Sequence, residues 1–355
     1  IARSYATGTV TGSGIRVGGL VGVQIGGTIT QAYATGAVQG DSAVGGLVGH
    51  QDGGMMTQAY AIGAVTGSGI NIGGLVGLQD GGSTEQAYAT GAVTGGSDVG
   101  GLVGWQNGGS ITNSYFDSYS TGRAASNGVG NVANASGVLA VTSDPTKSAD
   151  ANYAYKQSAY GNLTFTATPG ASGWYMTDGQ TRPFGAWEYS QNIANSHQLQ
   201  LVNMDLGASY QLARSLDLVG EFGRAGVSSP TAAESAGMWN SGFVPLGTDG
   251  VGGLIGGNGF AGTFTGSGNT ISNLTVDTGN ADYAGLFGWS SGAISDIGLI
   301  GGSVKGGDYT GGLVGYAAGG SVARSYTTGA VTGNLDVGGL VGLQVGDITQ
   351  SYAMG

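Results

Sequence analysis

Tyrosine recurs at Tyr5, Tyr33, Tyr60, Tyr88 and Tyr115, in steps of 28, 27, 28 and 27 residues. The leucine of a second motif, GGLVG, keeps the same beat at Leu20, Leu47, Leu75 and Leu102. Near the other end Leu286, Leu313 and Leu340 step by 27 and 27. A period this regular is the signature of stacked structural repeats. The competing reading of GGLVG is a glycine loop that cradles a ligand. A phosphate loop needs a following Gly-Lys-Ser/Thr, and a dinucleotide site needs its glycines between a strand and a helix. No copy of GGLVG has either context, so the repeat reading stands.

Within a repeat the segments are strand-like. In QAYATGAVQG, residues 31–40, Ala32, Ala34, Gly36 and Val38 fall on one face and Tyr33, Thr35, Ala37 and Gln39 on the other. The small apolar set suits a tight interior and the second set a solvated face. VGGLVG reads as a second short strand, and GGTI or GGSI opens a third after a glycine corner. Val17, Val21 and position 23 share one face of the second strand and Leu20 and Gln24 the other, unless a bend at the glycines breaks the alternation. Three short strands per 27 residues predict an all-β chain: a parallel β-helix whose coils stack ~4.8 Å apart. The motif positions Gly19, Leu20, Gly22, Gly46, Leu47, Gly74, Leu75, Gly101, Leu102, Gly312, Leu313, Gly339 and Leu340 are then structural. Glycines are placed where the backbone crowds, and leucines pack coil on coil. The same register stacks Gln24, Gln51, Gln79, Gln106 and Gln344, predicting an amide ladder along the axis. It also makes Tyr5, Tyr33, Tyr60 and Tyr88 a packed aromatic column.

Composition narrows the function classes. Glycine supplies 77 of 355 residues, without the Gly-X-Y period of collagen. Hydrophobic residues reach 40% and charged ones only 9%, which argues against disorder. A net charge of −11 with 10 scattered basic residues argues against a nucleic-acid partner. There is no cysteine, hence no disulfide framework or thiolate metal site. No apolar run approaches the ~18 residues of a membrane helix, and the small Ala, Gly and Thr faces do not suit a membrane β-barrel.

The repeats break after ITNSYFDSYSTG, residues 111–122. The expected organisation is solenoid over 1–122, a non-repeating aromatic insertion over 123–192, a lead-in over 193–276, and solenoid again over 277–355. A short helix capped by Ser143 or Asp144 is expected in the insertion. A second is expected over Ser196–Asp205, capped by Asn195, then a strand in YQLARSLDL. The chain opens on ARSYATG and closes on TQSYAMG, as if cut in mid-coil. This predicts covalent continuation or end-to-end self-association. Roughly thirteen coils at ~4.8 Å would make a rod on the order of 60 Å.

GGLVG, SYTTGAVTG and ITNSYFDSYSTG resemble the GLUG-motif repeats of large bacterial surface proteins, including adhesins of the two-partner-secretion, filamentous-haemagglutinin-like type. GWYMTDGQTRPFGAWEY looks like the usual tail of such a module, and HQLQLVNMDLGASYQLARSLDL through YAGLFG like its lead-in. The resemblance implies a right-handed β-helix, export through an outer-membrane partner, and an extracellular or cell-surface adhesive or biofilm-matrix role. It fixes no ligand.

Chemistry-bearing residues are few. His50 fills a position otherwise taken by Val, Leu, Trp or Tyr and reads as a surface substitution, and His197 reads as structural. Asp282, Asp308 and Lys305 are the nearest match to the clustered carboxylates of β-helix polysaccharide enzymes. Asp52 and Asp80 lie one coil apart, where Ca²⁺ would relieve their repulsion. No other cofactor is implied. Trp105, Trp289 and Tyr316, at the variable position after GLVG or GLFG, are the candidates for stacking against a matrix or host glycan. The leading expectation is a structural, adhesive, non-enzymatic solenoid.

Overall fold

The computed structural model describes residues 1–225, 227 and 229–355. The chain divides into two compact units. The first comprises Ile1–Thr166, Ser172–Trp174 and Ser228–Gly237, and the second comprises Ala167–Ala171, Tyr175–Val227 and Met238–Gly355. Both are parallel β-solenoids.

In the first unit each coil runs through three sheet faces. One face stacks Val10–Thr11, Val38–Gly40, Val65–Gly67 and Val93–Thr94. The next stacks Val17–Gly18, Val44–Gly45, Ile70–Gly73 and Ser97–Gly100. The third includes Thr28–Ala34, Met55–Ala61 and Val76–Ala89. Register follows the sequence period: Val21 pairs with Val48, Val48 with Val76, and Val76 with Val103, all in parallel. Ala32, Ala34, Leu47, Val48, Leu75 and Val76 share one core, and Val17, Val38, Val44, Val65, Ile72 and Val93 another. Each buried Leu or Val contributes on the order of 1.5–3 kcal/mol.

The bend in VGGLVG does break the alternation. Leu47 and Val48 are successive and both fully buried. Both their N–H groups donate to the carbonyl of Leu75 in the next coil. This packing explains the motif's glycines. A Cβ on Gly46 would lie 2.2 Å from the carbonyl oxygen of Gly74 and 2.7 Å from Ala61 Cβ. Gly46 and Gly74 are absent from the left-handed region, so crowding, not turning, demands glycine there. Left-handed corners lie elsewhere in the coil, at the glycine pairs Gly26–Gly27, Gly53–Gly54 and Gly81–Gly82 and at two columns of side-chain-bearing residues. Arg16, Ala43, Asn71 and Asp98 form one such column, and Arg3, Gln31, Gln58, Gln86 and Asn113 another.

The second unit subdivides its coils further. Thr310–Gly311, Val314–Ala317, Ser321–Ala323, Tyr326–Thr327 and Ala330–Thr332 are five short segments of one coil; the first four pair with counterparts one coil on, and the last pairs with Ser303–Lys305 one coil back. The three-strand expectation is corrected here, because additional corners interrupt the pairing.

The helical content is small. The only α-helix among the described residues is Ser196–Gln200, capped by Asn195 Oδ1 accepting from Gln198 N–H, and it tightens into a 3₁₀ turn at Leu201–Met204. In the insertion Asp144 caps a single 3₁₀ turn, Pro145–Lys147. YQLARSLDL is two strands in different sheets, Ser209–Leu212 and Leu216–Asp217, because the chain turns a solenoid corner between them. No helix among the described residues is long and apolar enough to cross a membrane.

Candidate functional site

The tyrosine column is a continuous ring stack. Tyr5, Tyr33, Tyr60 and Tyr88 have centroids 5.1, 4.9 and 4.9 Å apart and rings within 7° of parallel. Strand register holds each ring over the next. The face carrying them is not solvated as expected. Tyr60 is fully buried, whereas Tyr5 is 43% exposed. The cover comes from the non-repeating segment. Trp174 packs on Tyr60 and Tyr88, and Tyr160 on Tyr88 and Tyr115. Polar latches sit beside the rings: Ser172 Oγ donates to Gln58 Oε1, Thr164 N–H to Gln86 Oε1, and Asn162 N–H to the Tyr115 hydroxyl. Burial pushes the Tyr115 phenol above its usual range, and the Asn162 N–H offsets part of the shift.

The glutamine column is interior, and it is not the amide ladder the spacing suggested. Gln51 is fully buried. Its Nε2 donates to Ser83 O at 3.1 Å and its Oε1 accepts from Thr84 Oγ1. Gln24 donates to Met55 O and Gly27 O, and Gln79 to Ser110 O. These amides donate to main-chain carbonyls at the third-strand corner. Gln106 meets Asn131 through its own main chain. Side-chain pairing along the axis occurs in the left-handed column, where Arg3 Nε donates to Gln31 Oε1 and Gln31 Nε2 to Gln58 Oε1. Sequence reasoning missed this ladder. Its signal was the Arg, Gln or Asn two residues before each column tyrosine.

Asp117, in the motif that ends the first repeat array, was missed as well. It is fully buried, and its Oδ1 accepts from the N–H groups of Tyr119, Ser120 and Ser143. The carboxylate fixes the chain where it leaves the coil.

His50 is corrected from surface substitution to buried side chain. It is 7% exposed, with both ring nitrogens lacking a hydrogen-bond partner, in register between Val23 and Leu78. His197 Nδ1 lies 2.9 Å from Glu188 Oε2. Glu188 Oε1 accepts from Gly185 N–H, and Phe184 and Trp239 flank the imidazole.

The proposed cluster is brought together only in part: its two aspartates meet, and its lysine pairs outside it. Asp282 Oδ1 accepts from Asp308 N–H, and Lys305 Nζ faces Asp277 at 3.6 Å. Asp52 and Asp80 are exposed, and Asp80 takes the Asn107 amide. That is a poor match to the roughly six to eight oxygens calcium prefers. Trp289 and Tyr316 are half-buried and meet edge-to-face at 6.0 Å. Tyr316 also packs beside Tyr283 and Tyr309, which stack at 5.3 Å. Trp105 belongs to the first unit, in register with Leu78.

A family model described as the GLUG motif matches residues 13–39, 40–66, 68–94 and 95–121. Each match is one coil. The chain carries GLUG-motif repeats. In every matched GLUG coil the leucine and valine of GGLVG pack inward, and the four coils lie in the first unit. Over 165 residues the chain is 30% identical to halomucin of Haloquadratum walsbyi, covering 43% of this chain and 2% of that protein. No solved structure matches.

Proposed function

We propose that this chain is a structural and adhesive module of an extracellular β-solenoid, one of a series in a long repeat array. The observation that carries the reading is the stacking of like residues in successive coils: tyrosine on tyrosine, alanine on alanine, valine on valine. The repeated residues build the scaffold and its faces rather than converging on one pocket. The likeness to a stretch amounting to 2% of halomucin supports a place in a long chain. The pairing of Lys305 with Asp277, outside the carboxylate pair Asp282 and Asp308, supports a non-catalytic role. Partners on this reading are neighbouring modules or copies and matrix components, reached after export through an outer-membrane partner. Electron microscopy of the native protein tests it: fibres with a module repeat are expected, and compact isolated particles, or labelling confined to the cell interior, overturn it.

A second reading, glycan contact, is favoured by one observation: Trp289, Tyr316, Tyr283 and Tyr309 cluster on the second unit, all half-buried. Trp289→Ala should then abolish any hit on a glycan array.

A further inference from the structure

A groove of about 360 Å³ crosses three coils of the first unit, lined by Thr11 to Ser13, Gln39 to Asp41 and Thr66 to Ser68. Its shape follows from strand alternation. Thr11, Gln39 and Thr66 are in register and exposed, forming one wall. Ser13, Asp41 and Ser68, two residues on, form the other. Between them Gly12, Gly40 and Gly67 make a floor of bare backbone. A Cβ on Gly40 would lie 2.8 Å from both Val17 and Val44, and one on Gly67 2.1 Å from Ile72. Side chains at these positions would therefore point into the core, so the floor presents backbone to the groove. The groove spans two coil steps, about 10 Å at ~4.8 Å each, with room for two linked pyranose rings.

The wall chemistry selects the occupant. Each of the six wall side chains carries a hydroxyl, amide or carboxylate group. No lining residue is basic or aromatic, which disfavours an anionic polymer. A single carboxylate is too few for calcium. Ser68 Oγ donates to Asp41 Oδ1 at 2.7 Å, which fixes that carboxylate at the groove edge as a charged acceptor for a ligand hydroxyl. We infer that this groove binds a neutral, polyhydroxylated polysaccharide strand lying along the solenoid axis. The inference rests on the reading of the chain as a matrix-associating module and names the chemistry of one matrix partner.

The test is titration of the ¹⁵N-labelled chain with cellotetraose, maltotetraose and laminaritetraose, with trigalacturonate and Ca²⁺ as controls. At least one neutral probe should saturably shift the amides of residues 11–13, 39–41 and 66–68. Asp41→Ala should weaken that binding by about tenfold or more, the loss of a hydrogen bond to a charged acceptor. Thr66→Trp, which fills the groove, should abolish it, and Gln39→Ala supplies a milder exposed variant should either lose the native near-ultraviolet signal of the tyrosine stack. Failure of all three neutral probes overturns the inference. So do shifts at these amides with trigalacturonate or Ca²⁺ alone, or binding indifferent to the variants. Binding that instead moves amides around Trp289 and Tyr316 overturns the groove and leaves the matrix reading intact. Absence of fibres in the native protein strikes the matrix reading and leaves the titration to be judged by its own amides.

Discussion

The two units build the same tyrosine stack and treat it differently. In the first, Tyr33, Tyr60 and Tyr88 stack at 4.9 Å and are buried, with Trp174 over Tyr60 and Tyr88 and Tyr160 over Tyr88. In the second, Tyr326 and Tyr352 stack at 5.3 Å with rings 7° from parallel, yet Tyr352 is 50% exposed and Tyr326 half-buried. Stacking geometry therefore comes from coil register and needs no cover. Burial comes from a segment that is not part of the repeat. The left-handed corner shows the same contrast. Beyond Arg3 the first unit fills it with amides, of which Gln58 and Gln86 are engaged by Ser172 and Thr164. The second places Asp296 and Arg324 there as a bidentate, largely exposed ion pair.

If the cover rather than the stack stabilises the first unit, Trp174→Ala should cost about 3–5 kcal/mol in chemical denaturation, as for a large buried aromatic. A loss no larger than that of Tyr352→Ala, expected below about 1 kcal/mol for a half-exposed ring, would break the comparison. Gln51→Leu should come next. It removes the partner of the buried Thr84 hydroxyl, at about 1–3 kcal/mol for a buried group left unpaired, and a donor to the half-buried Ser83 carbonyl. A near-neutral effect would mean that water replaces the amide.

Alkali should also separate covered from uncovered rings. Tyr115 is raised by burial, so its neutral form favours the folded state. That contribution is whole below the unfolded phenol value of about 10. It is lost as pH rises from there through the higher folded value. Tyr115→Phe should flatten the fall of stability above pH 10, read by denaturant midpoints across pH. An unchanged slope would place the alkaline sensitivity elsewhere.

The smallest effect is expected at the exposed pair. Hydrogen bonds from Arg324 hold Asp296 below the usual carboxylate range. Its contribution is therefore present above the unfolded value and fades as pH falls through the folded one. Because the pair is screened by solvent, Arg324→Ala should leave the thermal midpoint unresolved from wild type at neutral pH. A clear drop would show that corner charges in the second unit matter as much as the covered amides of the first.

The coil was legible because equal spacing of like residues admits few solutions. Tyr5 to Tyr88 and Leu20 to Leu102 step together, and only stacked coils bring each onto its neighbour. The inward set Ala32, Ala34 and Val38 was equally readable, since strand alternation is local. The glutamines were placed in the right column with the wrong partner. Spacing shows that Gln24, Gln51 and Gln79 align, but an amide bonds to whichever acceptor lies within reach, and in this fold those are corner carbonyls rather than the next amide. His50 was misread because its burial is set by the surrounding coils, not by the strand that carries it.

The sequence by itself determined the period, the parallel stacking and the inward faces, because a repeat dictates its own register through short-range alternation and backbone pairing. Tertiary structure alone decided that the tyrosine face is covered and that Asp117 is buried where the chain leaves the coil. Each of these depends on segments that meet across tens of residues without a shared period, and no local pattern encodes which of them will be neighbours.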